Sequence, residues 1–215
     1  MQFRLYHYWR SSSSWRVRWA LALKKIACEF VPINLLEGEQ KSEAHCKRNP
    51  LGTVPVLEVI RDQKVSDTFW LAESTAIIEW LEESTPKPKL IPGDSFERAR
   101  IRQLAQIINA GIQPIQNLKV MVLYSEEQEK RNEWSRHWIR EGFRAYEALV
   151  KKTAGKFSMG DQITMADLFL IPQCYNAARF SLPMEEFPTI ARIHTNAMET
   201  KECQATAPEQ FKTRK

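Results

Sequence analysis

Long apolar runs are missing from this 215-residue chain: none reaches membrane-spanning length, and no apolar segment follows Met1–Arg4. That argues against a helix crossing a bilayer and against a secretory leader, and leads us to expect a cytoplasmic protein. Cysteine is sparse. Cys28, Cys46, Cys174 and Cys203 are scattered with no CxxC pair, which excludes a disulfide scaffold and fits reduced thiols. His7, His45, His137 and His194 are equally dispersed, so no metal-ligand spacing is present and no metal is expected. A strong charge of one sign is also lacking. Thirty-one basic against 26 acidic residues leave a net charge of +5, too mild and too interspersed for a nucleic-acid binder, though compatible with a small anionic substrate. The apolar fraction, 43%, is ample for a packed core.

Periodicity divides the chain. Residues 2–8 alternate as a strand around Phe3 and Leu5, and Trp15, Trp19, Ala22 and Leu23 recur at helical spacing. Phe30–Asn34 reads as a second strand, with Pro32 favouring an edge. Val54–Val59 and Lys64–Asp67 read as a hairpin pair across residues 61–63, and Ser74 as the cap of a helix burying Ile77, Ile78 and Leu81. This is an α/β layer of four strands over residues 1–84. Pro86, Pro88 and Pro92 make residues 85–93 a stiff linker. Beyond it, residues 94–215 read as an all-α bundle, with stripes at Ile101, Leu104, Ile108 and Ile112 and at Trp134, Trp138, Phe143, Tyr146 and Leu149. Thr164–Asp167 is a capping-box pattern opening a helix that Pro172 should bend or end.

The chemistry centres on Arg10-Ser11-Ser12-Ser13-Ser14-Trp15-Arg16-Val17-Arg18. Four hydroxyls stand between a strand and a helix, where unpaired N–H groups and the positive end of a helix dipole meet. One serine suffices for an N-cap; a run beside arginines can also hold an anionic sulfur or oxygen. Any single arginine is by default a solvated surface cation, the reading that fits Arg18.

Taken together, these motifs resemble the cytosolic glutathione transferases, a thioredoxin-like domain followed by a helical bundle, and within them the zeta class. The likeness rests on the serine run, on Val54-Pro55, on Glu73-Ser74, on Thr164–Asp167, and on Asn49–Pro55, Gly111–Leu118 and Asn176–Phe180, and it spans nearly the whole chain. The resemblance implies glutathione as cofactor: Ser11 activating its thiolate with Ser12 beside it, and Ser13, Gln40, Val54, Pro55, Glu73, Ser74, Gln113 and Asn117 contacting it. Val54-Pro55 would be the family's cis-proline, presenting the Val54 backbone to the cysteinyl group. Arg179 would bind a substrate carboxylate and stabilise an enolate, assisted by Arg10 and Arg16. Ser13 departs from the class, which has a cysteine there; this weakens a thiol-transferase reading and leaves conjugate addition by glutathione intact. Tyr6 or Tyr8 is the other hydroxyl near enough to serve in place of Ser11.

The implied reaction is cis–trans isomerisation of a conjugated diketo diacid, maleylacetoacetate to fumarylacetoacetate, in tyrosine and phenylalanine degradation. A transferase or dehalogenase acting on α-halo acids, a maleylpyruvate isomerase and a non-catalytic interaction protein of the same fold remain as alternatives. A glutaredoxin-like oxidoreductase does not, since Ser11–Ser14 offer no cysteine. The resemblance also implies a homodimer, with the linker and bundle helices at its interface.

Overall fold

The computed structural model describes residues 1–61 and 68–212, which group into two compact units, residues 1–88 with 201–215 and residues 89–200. The first unit is built on a mixed sheet in the order β2-β1-β3-β4. Its strands are β1 (Gln2–His7), β2 (Glu29–Pro32), β3 (Val56–Ile60) and β4 (Thr68–Ala72). β1 runs parallel to β2 and antiparallel to β3, and β3 is antiparallel to β4. Every residue of β3 is buried, as a central strand covered on both faces requires. Its one acid, Glu58, accepts the Tyr6 hydroxyl proton at 3.0 Å and lies 3.5 Å from the Arg4 guanidinium. Pro32 closes β2 at the sheet edge, where a missing N–H is tolerated. The strand expected at Lys64–Asp67, and most of the turn before it, lie outside the described residues; β4 follows at Thr68.

Two helices, α1 (Ser12–Leu23) and α3 (Ser74–Ser84), pack together beside the sheet, and a short α2 (Glu43–Arg48) lies between β2 and β3. α1 is buried around nearly its whole circumference, Arg16 and Arg18 included. That corrects the solvated reading of Arg18: with Trp15, Val17, Trp19, Ala20 and Leu21 all buried, no face of α1 is left for a cation to meet water. The linker is tied down by another buried cation. Lys24 Nζ reaches Glu82 at 2.9 Å, the Thr85 carbonyl at 2.6 Å and the Pro88 carbonyl at 3.0 Å, so the first unit extends to Pro88.

The second unit holds α4 (Ser95–Gly111), α5 (Leu118–Tyr124), α6 (Gln128–Val150), α7 (Met165–Arg179) and α8 (Pro188–Met198). α4 packs on α6 and α7, burying Ile101, Leu104 and Ile108 as the stripe requires. On α6 the buried line is Ile139, Phe143, Tyr146 and Val150. Trp134 sits off that line, half-buried, with its indole N–H on the Ile115 carbonyl at 3.0 Å. α7 runs through Pro172 to Arg179, further than the proline suggests. An interior proline costs about 3 kcal/mol, and a helix buried along most of its length offsets this by packing.

The tail also departs from expectation. Residues 201–215, read from sequence as part of the bundle, group with the first unit. Here α9 (Lys201–Thr206) lies on α1, with the Trp15 indole N–H donating to Thr206 Oγ1 at 3.2 Å, and Phe211 packs edge-on against His7 and Phe30.

Candidate active site

Ser11 is the N-cap of α1, with extended backbone and its hydroxyl oxygen accepting from the Ser14 N–H at 3.2 Å. Its own N–H is held by the Tyr8 carbonyl at 3.1 Å. The Ser11 hydroxyl proton remains to donate outward, and the Ser12 and Ser13 amides precede the first intrahelical bond, Trp15 N–H to the Ser11 carbonyl. Ser12 and Ser13 are buried in this first turn. Ser14 is fully buried and accepts from the Tyr8 N–H at 3.4 Å, which makes it structural. Tyr6 is removed as an alternative to Ser11: its proton is committed to Glu58, and burial, reinforced by that bond, raises its pKa.

Val54-Pro55 is cis. The loop bearing it is braced at Gly52, where φ is +58° and an added Cβ would stand 2.9 Å from the Gln40 carbonyl. Only glycine allows both the conformation and the approach. Gln40 is thereby held beside the cis-proline loop, and its Oε1 is buried without a hydrogen-bond partner among the described residues. A buried acceptor of this kind calls for a donor from a ligand.

The acidic-serine pair is built differently from a plain cap. Glu73, at φ 67°, is the N-cap of α3 and makes no side-chain cap bond; Ser74 is the first helical residue. Ser74 is buried, and its Oγ accepts from Arg16 Nη1 at 3.1 Å. Burial lowers the Arg16 guanidinium to about 9, opposed by the negative charge of Glu73. Arg16 therefore does not face solvent as a substrate-carboxylate ligand. It lies beneath Ser74, uses a lone pair of that hydroxyl and leaves the Ser74 proton to point at an acceptor. Arg16 thereby ties α1, the helix that the serine run opens, to the Glu73-Ser74 pair.

In the second unit, reciprocal amide bonds of 2.7 and 3.1 Å between Gln116 and Gln173 hold the turn after α4 against α7. Gln113 is half-buried in that turn. Asn117 caps α5, its Oδ1 accepting from the Lys119 N–H at 3.2 Å. Arg179 is the exposed last residue of α7, with Nη1 3.3 Å from Asn176 Oδ1 and its guanidinium 5.4 Å from the Phe180 ring centre.

The first unit also has a cavity of about 670 Å³ beside Arg10, lined by Trp9, Asn34, Glu209, Phe211 and Lys212 among others. Sequence reasoning missed the last three because the tail was assigned to the bundle. It also missed the roles of Arg16 and Arg18, although the apolar residues interleaved with them signal a helix buried all round. Cys28, Cys174 and Cys203 are poor nucleophiles: burial pushes Cys28 and Cys203 up to about 12, and raises Cys174 as well. Among the described residues, no cluster of metal-ligating side chains is present.

Comparison with known proteins agrees with this geometry. The glutathione S-transferase N-terminal domain model matches residues 1–83, and the C-terminal domain model matches residues 115–205. A maleylacetoacetate isomerase of Dictyostelium discoideum is 46% identical over 199 residues, covering 90% of this chain and 88% of its own. The crystal structure of a maleylacetoacetate isomerase from Anaeromyxobacter dehalogenans 2CP-1 with bound glutathione aligns with a TM-score of 0.88 at 46% identity, covering 97% of this chain and 96% of its own. A holo maleylpyruvate isomerase, described as a bacterial zeta-class transferase, aligns with a TM-score of 0.88 at 36% identity over 95% and 96% of the two chains.

Proposed function

Because this chain belongs to the zeta class of the glutathione S-transferase family, we propose that it isomerises maleylacetoacetate to fumarylacetoacetate with glutathione as a regenerated cofactor. The observation that carries this reading is the Arg16–Ser74 bond, which ties the helix opened by the hydroxyl run suited to a sulfur anion to the acid-serine pair suited to an α-amino acid end.

Glutathione, when bound, supplies a thiolate that adds to the conjugated alkene, permits rotation about the resulting single bond and leaves again. The chain's task is to keep that sulfur ionised and to hold the two carboxylates. A thiol of pKa about 8.5 is mostly protonated at neutral pH, and lowering it by two units takes roughly 2.7 kcal/mol. A hydrogen bond from the Ser11 hydroxyl, worth about 1.5–3 kcal/mol to a charged acceptor, meets most of that. The first-turn amides of Ser12 and Ser13 add the helix dipole, about 0.3–1 kcal/mol. Ser74 and the start of α3 suit the γ-glutamyl carboxylate, Glu73 its ammonium, and Gln40 Oε1 and the Val54 backbone the peptide amides. Gln113 and Asn117 remain proposed contacts from the second unit. Arg179 and Arg10 take the substrate carboxylates and the negative charge that develops on thiol addition; Arg16 acts through Ser74.

The free thiols of all four cysteines support a cytoplasmic setting, and among the described residues no helix is long and apolar enough to cross a membrane. The family likeness implies a homodimer, in which a partner could cover exposed apolar residues such as Phe96 and Leu123; light scattering would register it as twice the chain mass.

The test supplies maleylacetoacetate with substoichiometric glutathione and follows trans product and free thiol together. Turnover far exceeding the glutathione present, with thiol conserved and Ser11→Ala reducing the rate, is expected. Thiol loss matching product with an α-halo acid, and none of this with the diacid, would replace the isomerase by a conjugating transferase. Maleylpyruvate in parallel separates the two isomerase substrates.

A further inference from the structure

Arg18 has no part in the chemistry above, yet its side chain is held by several partners at once. Fully buried, it donates from Nη2 to the Trp9 carbonyl at 3.0 Å and from Nη1 to the Tyr8 carbonyl at 3.4 Å. Nη1 also donates to His7 Nδ1 at 3.1 Å, Nε donates to the Thr206 carbonyl at 3.1 Å, and the guanidinium stands 4.5 Å from the Phe211 ring centre. One cation thus grips two segments far apart in sequence: the turn that carries Trp9, Arg10 and Ser11, and the segment that follows α9.

The consequence is a composite cavity. Its volume is about 670 Å³, within the range of small-molecule sites. Trp9 and Arg10 come from the turn, while Phe211 and Lys212 come from the C-terminal segment. Both cations stand over one indole, the Arg10 guanidinium carbon 5.4 Å and Lys212 Nζ 5.6 Å from the Trp9 ring centre. Glu209 also lines the cavity, and its negative charge is felt by the buried Arg18. The acid in the lining is therefore offset from beneath, and the pair over Trp9 sets the cavity's sign. Two like charges beside one indole repel until an anion comes between them, and a flat conjugated acid offers the indole a face as well as a charge.

We infer that Arg10 and Lys212 form a joint site for a carboxylate of the planar conjugated substrate, and that Arg18 is the positioning residue that assembles it by fixing the C-terminal segment to the β1–α1 turn. This rests on the diacid reading above. Ser11 directly follows Arg10, so the cavity and the hydroxyl assigned to the thiolate share the β1–α1 turn.

The test is calorimetric titration of the full-length protein with S-(1,2-dicarboxyethyl)glutathione and, separately, with glutathione. Lys212→Ala is expected to weaken the dicarboxylate adduct about five- to tenfold while the glutathione Kd stays within about twofold, and Lys212→Arg to restore most of the loss. Arg18→Lys should raise the KM for the diacid several-fold while kcat falls by less than about twofold, a split that general destabilisation does not produce. Should that variant fold poorly, Phe211→Ala removes the ring beside the guanidinium, which also lines the cavity and packs on His7 and Phe30, and should raise KM in the same sense. Unchanged adduct affinity in a folded Lys212→Ala protein would overturn the site, as would equal weakening of adduct and glutathione. A wild-type protein that shows the Lys212 dependence but does not isomerise the diacid retains this site and loses the proposed activity. One that isomerises without the Lys212 dependence does the reverse.

Discussion

Two bundle helices of the second unit, α4 and α7, close their N-termini with a carboxylate at the third position, whereas α1 and α3 of the first unit do not. At α4, Asp94 Oδ1 accepts from the Phe96 and Glu97 N–H groups at 2.8 and 2.9 Å, and Glu97 returns to the Asp94 N–H at 2.9 Å. At α7, Asp167 Oδ2 accepts the Thr164 N–H at 2.8 Å and the Thr164 hydroxyl at 3.0 Å, while Oδ1 accepts the Ser158 N–H at 2.8 Å. α1 also starts from a hydroxyl residue, but its third helical position is Ser14, and no acid lies in its first turn. α3 has no acid in its first turn either, and its N-cap Glu73 makes no side-chain bond. A carboxylate three residues in neutralises the helix dipole from within. Its absence leaves amides and hydroxyls for an anion that the chain itself does not supply. What separates the starts of α4 and α7 from that of α1 is the residue at the third position, since all three have a capping side chain.

The comparison is broken most severely at α7. Asp167→Ala would leave the buried Thr164 and Ser158 amides without their acceptor, at about 1–3 kcal/mol each. A loss of about 4 kcal/mol is expected in chemical denaturation, and Asp167→Asn should keep part of it. Ser11→Ala probes the open counterpart. It should remove about 1 kcal/mol of capping stability, yet lower turnover at neutral pH up to about 25-fold, the thiolate fraction lost when a pKa of about 6.5 returns to about 8.5. A Ser11→Ala protein whose rate falls only in proportion to its unfolding would make α1 a plain cap like the others.

Much of this contrast is legible in the amino-acid order. Thr164–Asp167 announces a closed start and the serine run an open one, and the alternation around Leu5 and the stripe at Ile101, Leu104 and Ile108 mark strand and helix correctly. Periodicity is silent where a helix is buried on every side. α1 has no polar face, so the pattern could not say that Arg16 turns to Ser74 and Arg18 to the tail. Positions two apart on a helix point about 200° apart, which is why neighbouring arginines serve opposite neighbours. Ser74 illustrates a second limit. Its type fits an N-cap, but Glu73 takes the cap position at φ 67°, a conformation uncommon for a non-glycine residue. The tail's return to the first unit depends on Phe211 and Thr206 meeting residues near the other end of the chain, and local pattern carries no information about that.

The two units should also part company in acid. His7 accepts from Arg18 and is held neutral; burial, then the Arg18 charge, lowers its pKa from 6.5 to about 3. Between those values the unfolded chain binds a proton that the folded one does not, so stability is present above pH 6.5 and is lost as pH falls toward 3. At pH 5 the loss is about 2 kcal/mol. Asp167 moves the other way: burial raises its pKa, so its folded form binds the proton more readily and its own contribution grows as pH falls. Hydrogen exchange compared at pH 7 and pH 5 should therefore loosen β1, α1 and the 207–212 segment before α7. His7→Gln, which keeps an acceptor for Arg18 but cannot titrate, should flatten the acid limb. Simultaneous loosening of both units would sever the link between His7 and the first unit's polar joint.

The smallest effect belongs to Asp94. It completes a helix start as fully as Asp167 does but is exposed, so water replaces what Asp94→Ala removes, and the loss should be about 1 kcal/mol. Glutathione affinity and turnover should not change, because α4's first turn is closed by groups that serve only the helix. Pairing this variant with Ser74→Ala gives the finest version of the contrast. Ser74→Ala takes the hydroxyl acceptor from the buried Arg16 Nη1, at about 1–3 kcal/mol, and should also weaken glutathione about tenfold, by taking away the hydroxyl that Arg16 orients. If Asp94→Ala weakened glutathione as much as Ser74→Ala did, completion of the N-terminus would not be what distinguishes a binding helix from a structural one in this protein.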